Sequence, residues 1–181
     1  MININNYIQE KLVINKDSKI KQKYSCKPRN LDELKLILQE RLKEDKNANL
    51  NDIDVSNIDS MFALFDHLDP HNIDISEWDV SNVENMSLAF IECEHFDCDL
   101  SKWDVSNVTN MLNMFDTCTN FTGNGLEKWD VSNVKNMGYM FWECHNLNTD
   151  LNNWNVSNVM SMKEMFFKSG LENNPPKWYT K

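Results

Sequence analysis

Glycine is scarce in this chain, since only four of its 181 residues are glycines. A phosphate-binding loop needs closely spaced glycines so that its backbone amides can approach the phosphates, and no such cluster is present. The four histidines, His67, His71, His95 and His145, lie near loop positions with no serine or cysteine nucleophile in register. We therefore expect a protein that is not an enzyme and has no cofactor and no small-molecule substrate.

Long apolar runs are missing as well. No stretch of 18 consecutive apolar residues exists, whereas a membrane-spanning helix needs about 20, so no membrane partner is expected. The first residues, MININNYIQEKLVINKDSK, lack the basic segment followed by an apolar segment that marks a secretory leader. The sequence therefore predicts a cytoplasmic protein.

Basic residues are rare in the larger part of the chain. Residues 1–50 hold 11 basic and 7 acidic residues, a net charge of +4, whereas residues 51–181 hold 7 and 21, a net charge of −14. Binding to nucleic acid depends on lysine and arginine side chains that neutralise phosphates, so we expect no direct nucleic-acid binding. An acidic surface instead attracts basic proteins, or imitates a nucleic acid.

A 25-residue unit recurs through this acidic part. Its copies begin at Ile53, Trp78, Trp103, Trp129 and Trp154, and a truncated sixth copy begins at Trp178. The first four copies carry D-V-S-N directly after that first residue, and the fifth carries N-V-S-N. A fixed period of this length is typical of proteins built from stacked repeats. In each copy, the alternation Trp-x-Val predicts a strand, and apolar residues at steps of three, as in 108–118, predict a short helix.

The frame L-x-x-W-x-V-x-x-V-x-x-M-x-x-M-F-x-x-C-x-x-F resembles the BspA-type leucine-rich repeat, also known as the mycoplasma lipoprotein-associated "surface protein" repeat. The match covers roughly residues 53–178. The resemblance implies an α/β fold, namely a right-handed solenoid of about five 25-residue coils with a parallel sheet on its concave side. It implies no catalytic activity. Many relatives are secreted or surface-attached and bind other macromolecules.

Two regions are expected. Residues 1–50 form an α+β cap on the first coil, with a hairpin from strands at 11–15 and 20–26 and a helix at 31–44 that starts after Asn30. Residues 51–181 form the repeat solenoid and end in an edge strand at 177–180.

Identical residues of successive copies are expected to stack in the core. Tryptophans, methionines and phenylalanines form three such ladders, and Cys93, Cys118 and Cys144 form a buried row of reduced thiols. The segment Cys93-x-His95-x-x-Cys98 has a spacing that a zinc site can use. Because Cys93 is already explained as a core residue and no second pair of cysteines follows, we expect no metal site.

The predicted binding surface is the concave strand face. It presents a row of aspartates with the serines that follow them, flanked by a carboxylate and an ammonium group. These residues are Asp54, Asp79, Asp104, Asp130, Ser81, Ser106, Ser132, Glu77 and Lys102. Carboxylates about 5 Å apart repel by roughly 3 kcal/mol at an effective dielectric near 20. Either hydrogen bonds within each D-V-S-N turn offset this repulsion, or cations or a basic partner do.

Trp142 is a separate candidate. It follows Phe141 of the phenylalanine ladder at a position where other copies have aspartate, isoleucine or phenylalanine. A tryptophan exposed there is a candidate interface anchor, although packing against a neighbouring helix explains it equally well.

Three functions are compatible with these features. The first is a non-enzymatic protein–protein interaction module whose acidic face binds a protein partner, with a basic one favoured by the charge. The second is an acidic nucleic-acid mimic that inhibits a nucleic-acid-binding protein, as in phages or mobile elements. The third is a bacterial surface adhesin.

Overall fold

The structure is a computed structural model, which describes residues 24–180. Within that range it contains one α-helix, one three-residue 3₁₀-helix and six isolated parallel β-bridges, and the other residues form turns and irregular backbone. No β-strand is assigned between residues 24 and 180. The predicted α/β fold, a leucine-rich-repeat solenoid with a strand face, is therefore wrong. The edge strand expected at 177–180 does not form, and the hairpin expected before residue 27 lies almost wholly outside the described residues.

The predicted helix is present and spans Leu31–Glu44; it is called α1. Asn30 caps it, because its side-chain oxygen accepts a hydrogen bond from the Glu33 amide at 3.0 Å. Acidic residues in the first turn and basic residues in the last turn suit the helix dipole. No helix in the described part of the chain is long and apolar enough to cross a membrane.

Helix α1 covers the first repeat. Its apolar face is buried in the same core cluster as the repeats; the face consists of Leu34, Ile37, Leu38 and Leu42. Arg41 forms two hydrogen bonds to the Asp52 carboxylate, at 3.0 and 3.1 Å. A terminal repeat exposes one apolar side that has no neighbouring repeat, and α1 buries this side of the first copy. The domain boundary at residue 50 stays a prediction.

Successive repeats are joined in register by backbone hydrogen bonds. Bridges pair equivalent residues along the chain, in the order Ser60, Asn85, Asn110, Asn136 and Ser161. Further bonds follow at every second residue, such as Met111 N to Asn136 O at 2.9 Å and Asn113 N to Gly138 O at 3.0 Å. The repeats therefore stack in parallel, although no strand extends through them.

Left-handed backbone explains why these bonds do not form strands. Each repeat has positive φ at two fixed non-glycine positions. The first set is Ala63, Leu88, Asn113, Tyr139 and Glu164, and the second is His67, Glu92, Thr117, Glu143 and Lys168. A strand needs extended backbone with negative φ over consecutive residues, and the first set interrupts it three residues after each bridge.

The same residues explain why the predicted repeat helices are wrong. In 108–121 several separate amides bond to the carbonyl three residues earlier, as in Met114 to Met111, Cys118 to Phe115 and Phe121 to Cys118. These bonds close consecutive β-turns rather than helical turns. The apolar spacing of three is real, but it arises from a series of turns. The extra residue of the third repeat lies near Gly125, which is the N-cap of the 3₁₀-helix Leu126–Lys128 and has left-handed backbone with a φ of 93°.

The core consists of the expected ladders. Phenylalanine rings stack at centroid distances of 5.1, 5.3, 5.8 and 5.7 Å along Phe65, Phe90, Phe115, Phe141 and Phe166. Tryptophan rings stack between Trp78 and Trp103, between Trp103 and Trp129, and between Trp154 and Trp178. Each indole N–H also donates to a backbone carbonyl of the preceding repeat, as in Trp129 to Leu100 at 3.1 Å.

Candidate functional site

The aspartates of D-V-S-N lie at turns, not on strands. In the fourth repeat, the Ser132 amide donates to Asp130 Oδ1 at 3.0 Å. The preceding copies repeat this bond with Asp54, Asp79 and Asp104, and the fifth copy repeats it with Asn155. In two of these turns the serine hydroxyl, Ser56 or Ser81, donates to the same carboxylate oxygen at 2.6 Å. The alternative in which each aspartate is hydrogen-bonded within its own turn is therefore confirmed.

Asparagine side chains hold these turns in a row. Asn107 Nδ2 donates to the Ser81 carbonyl of the preceding repeat at 2.7 Å. Equivalent bonds join Asn82 to Ser56, Asn133 to Ser106 and Asn158 to Ser132. Because every D-V-S-N turn is bonded to the one before it, the aspartates follow one another along one side of the stack at the repeat spacing. We call Asp54, Asp79, Asp104 and Asp130 the acidic row.

The acidic row is mostly open to solvent. Asp79, Asp104 and Asp130 are exposed and Asp54 is half-buried. Hydrogen bonds from Ser132 lower the pKa of Asp130. Burial raises the pKa of Asp54, but hydrogen bonds from Ser56 and Lys27 outweigh it, so that the net shift is downward. Lys27 also forms an ion pair with Asp54 at 3.0 Å. In Asp79, Asp104 and Asp130 the turn bond is accepted by Oδ1.

Sequence reasoning missed a second set of acidic turns. Five residues before the first residue of three D/N-V-S-N turns, an aspartate accepts a hydrogen bond from the amide two residues later. These residues are Asp74, Asp99 and Asp150, and the distances are 3.1, 2.8 and 2.9 Å. The pKa of Asp99 is lowered mainly by hydrogen bonds from Ser101. The recurrent triplets Asp-Ile-Ser, Asp-Leu-Ser and Asp-Leu-Asn carry the signal, because aspartate followed two residues later by a donor favours such a turn.

Glu77 and Lys102 lie between these two sets of turns and form an ion pair across neighbouring repeats. The hydrogen bond from Lys102 to Glu77 raises the pKa of the ammonium group. Both side chains are exposed, and exposed pairs contribute little to stability. Their main effect is to neutralise charge within the acidic surface, so a partner that competes for Glu77 must displace Lys102.

Trp142 is half-buried and belongs to an aromatic cluster apart from the acidic row. It stacks on Phe167 of the next repeat at a centroid distance of 4.1 Å and contacts Tyr139 at 5.6 Å. Lys163 lies over the Tyr139 ring at 5.4 Å. The sequence placed Trp142 either at an exposed interface or against a helix, and the structure packs it against a ring of a neighbouring turn.

Within residues 24–180, the ligand atoms of Cys93, His95 and Cys98 are not grouped closely enough to hold one metal ion together. Both thiols are buried, and burial raises the pKa of Cys98 to about 11 and that of Cys93 further still. The Cys93 thiol contacts the Ile91 carbonyl and the Cys98 thiol contacts the Asp99 carbonyl, each at 3.7 Å. Both thiols are therefore accounted for as buried core groups, and a metal would have to displace a proton from each of them.

The fold and this surface together define a class: a protein of short, turn-rich repeats that stack through asparagine bonds and aromatic rings. A family model described as "Mycoplasma protein of unknown function, DUF285" matches residues 37–125 and 113–181. The chain belongs to this family. No curated protein and no solved structure matches the chain significantly.

Proposed function

We propose that this chain is a non-enzymatic protein–protein interaction module that binds a basic protein along the acidic row. The observation that carries the proposal is the recurrence of the same hydrogen-bonded aspartate turn at a fixed spacing. A carboxylate whose rotamer is already held by its serine loses little conformational entropy on binding, so an array of such groups is preorganised.

The size of the electrostatic effect also supports a charged partner. Parallel pairing spaces neighbouring chains by about 4.8 Å. Adjacent unit charges at that distance repel by roughly 3 kcal/mol at a dielectric near 20 and by about 1 kcal/mol in water. Serine donors stabilise each charge but do not remove it. A partner that carries lysine or arginine side chains at a similar spacing relieves the repulsion and gains affinity.

The nucleic-acid mimic is the second candidate, and the hydrogen bonds weigh against it. A mimic presents unpaired carboxylates in one continuous face, whereas here each aspartate accepts bonds within its own turn and Glu77 is paired with Lys102. The likeness of the unit to BspA-type repeats favours binding to a macromolecule in general, including the adhesin alternative. Cytoplasmic location remains an expectation from the sequence.

The test compares two variants of equal charge. One replaces Asp54, Asp79, Asp104 and Asp130 with asparagine, and the other replaces Asp66, Glu92, Glu94 and Glu164 with asparagine or glutamine. The control residues are all exposed and lie outside the acidic row. A partner captured from native lysate is identified and purified, and its affinity for each variant is measured at ~0.1 and ~0.5 M salt.

The proposal predicts that the acidic-row variant loses most of its affinity and salt dependence, while the control variant keeps both. Equal loss in the two variants would show a dependence on net charge alone. Full retention in both would place the interface elsewhere, with the aromatic cluster at Trp142 as the next region to test. Identification of a nucleic-acid-binding protein that is inhibited on capture would favour the mimic.

A further inference from the structure

Three side chains from two neighbouring repeats converge at the end of the stack that α1 covers. Asp69 and His71 follow the turns of the first repeat, and His95 follows those of the second. Their candidate ligand atoms all lie within 4.8 Å of one another. Asp69 Oδ2 lies 3.4 Å from His71 Nε2, and Asp69 Oδ1 lies 3.6 Å from His95 Nδ1. The two imidazole rings are 4.4 Å apart. We propose that Asp69, His71 and His95 form a binding site for a divalent transition-metal ion such as Zn²⁺ or Ni²⁺.

The distances suit such an ion. Zinc bonds to histidine nitrogen and carboxylate oxygen at about 2.0–2.2 Å, so tetrahedral coordination places ligand atoms about 3.3 Å apart. Each imidazole nitrogen lies within a few tenths of an ångström of that value from one oxygen of the Asp69 carboxylate, Oδ2 for His71 and Oδ1 for His95. Small rotations of these side chains, none of which is fully buried, would bring three ligand atoms that already lie within 4.8 Å of one another onto one ion. Two imidazoles with one carboxylate suit zinc, nickel or copper rather than calcium or magnesium. A fourth position remains for water.

The backbone at each ligand is held in place. His71 donates its amide to the Lys46 carbonyl at 2.8 Å, which ties it to the loop after α1. His95 sits inside the turn closed by Phe96 N and Cys93 O at 3.1 Å. Asp69 has a φ of 47° and stands outside the two positions where the repeats regularly take positive φ. The site therefore occurs where the first repeat departs from the others.

The surrounding charge favours a cation. The neighbouring concavity has a volume of about 500 Å³ and is lined on its polar side by His67, Glu92 and Glu94 as well as by Asp69 and His95. Lys46, whose carbonyl accepts the hydrogen bond from the His71 amide, carries an opposing charge, and its ammonium group donates to the Leu68 carbonyl. A bound ion would link two successive repeats directly, because its ligands come from both.

The experiment uses the full chain, stripped of metal with a chelator, and titrates it with Zn²⁺ and Ni²⁺ alone in a calorimeter at pH 7.5. One ion per chain is expected. His71→Gln, His95→Gln and Asp69→Asn are each compared with His145→Gln, a change at an exposed histidine outside the site. Loss of an outer-shell partner commonly weakens metal affinity by 10–100-fold, so loss of a direct ligand should weaken it by about 100-fold or more.

His145→Gln should bind as the unchanged chain does. All four variants are checked for folding by circular dichroism in chelator, and the ring-proton NMR signals of the unchanged chain report which histidines shift on adding metal. Selective shifts of two histidines, lost in the first two variants, would support the site. Unchanged affinity in His71→Gln and His95→Gln, or no stoichiometric binding at all, would overturn it and leave Asp69 as a hydrogen-bond partner of His71 that also lies near His95.

Discussion

The left-handed backbone at Glu92 allows a direct test of whether the positive φ angles of the repeats lower the stability of the fold. Glu92 has a φ of 58°, is exposed, and donates its amide to the Asp116 carbonyl of the next repeat at 2.8 Å. Left-handed backbone costs an L-residue about 1–2 kcal/mol. Glycine does not incur that cost, but its freedom in the unfolded chain costs about 0.5–1 kcal/mol. Glu92→Gly should therefore stabilise the fold slightly, by up to about 1.5 kcal/mol.

The neighbouring Glu94 provides a matched control. It is also an exposed glutamate, but it is not among the residues with positive φ. Glu94→Gly incurs the entropy cost without relieving strain, so it should destabilise the fold by about 0.5–1 kcal/mol. Both variants incur the same entropy cost of introducing glycine. The difference between their free energies of unfolding therefore measures the cost of the left-handed backbone at residue 92, about 1–2 kcal/mol. For a chain of this size, a change of 1 kcal/mol moves the melting temperature by about 2–4 °C.

Urea unfolding at pH 7 in the presence of chelator measures both variants, with Glu92→Ala as a further control. Alanine removes the same side chain but keeps Cβ, so Glu92→Ala should lack the gain seen with glycine. If Glu92→Gly and Glu94→Gly lose equal stability, the left-handed backbone at residue 92 is not the strained feature inferred here, and the explanation for the missing strands fails with it.

Three further predictions concern the turns and the core. Asn107→Ala removes the hydrogen bond to the preceding repeat and should lower the free energy of unfolding in urea by about 0.5–1.5 kcal/mol. Asn57→Ala removes the equivalent amide in the first repeat, where the described residues show no such bond, and should lower it less. Equal losses in the two variants would argue against a stabilising role for the asparagine bonds. Turn bonds lower the pKa of Asp130 in the folded state. The stabilising contribution of Asp130 is therefore complete above its unfolded pKa and is lost as the pH falls through its folded pKa. Asp130→Asn should make the free energy of unfolding depend less on pH in the acid range, and an unchanged pH dependence would contradict the assignment. Burial raises the pKa of Cys118 well above its usual value, so its thiol should react with Ellman's reagent only after unfolding, and rapid reaction in the native protein would show that the core is open.

Side-chain identity predicted much of the interior. The repeat length, the stacked phenylalanines, the buried cysteines and the helix that begins after Asn30 all follow from apolar spacing and capping residues, which report burial directly. The backbone between Met111 and Cys118 did not follow. A spacing of three is shared by helical turns and by consecutive β-turns, and the residues that take positive φ, such as Leu88 and Thr117, are types that rarely do so.

On the surface, the contacts within one turn could be predicted from the sequence, whereas the contacts between repeats could not. The bonding of Asp130 to Ser132 is a local turn, and the recurrence of D-V-S-N was sufficient to suggest it. The grouping of Asp69, His71 and His95 depends on the alignment of neighbouring repeats in space. Its only trace in the sequence is that His71 and His95 lie nearly one repeat length apart, which is not specific enough to predict a site.

The register of the repeats makes the length of the acidic row adjustable. The asparagine bonds that join neighbouring turns use the same pair of positions in each pair of adjacent copies, as in Asn133 to Ser106 and Asn158 to Ser132. A duplicated copy inserted by recombination would find the same donors and acceptors on both sides, and a deleted copy would leave ends that still match. Each event would lengthen or shorten the array of carboxylates by about 4.8 Å. Gene rearrangement would thus change the number of carboxylates in the acidic row without altering the hydrogen bonds of any single turn.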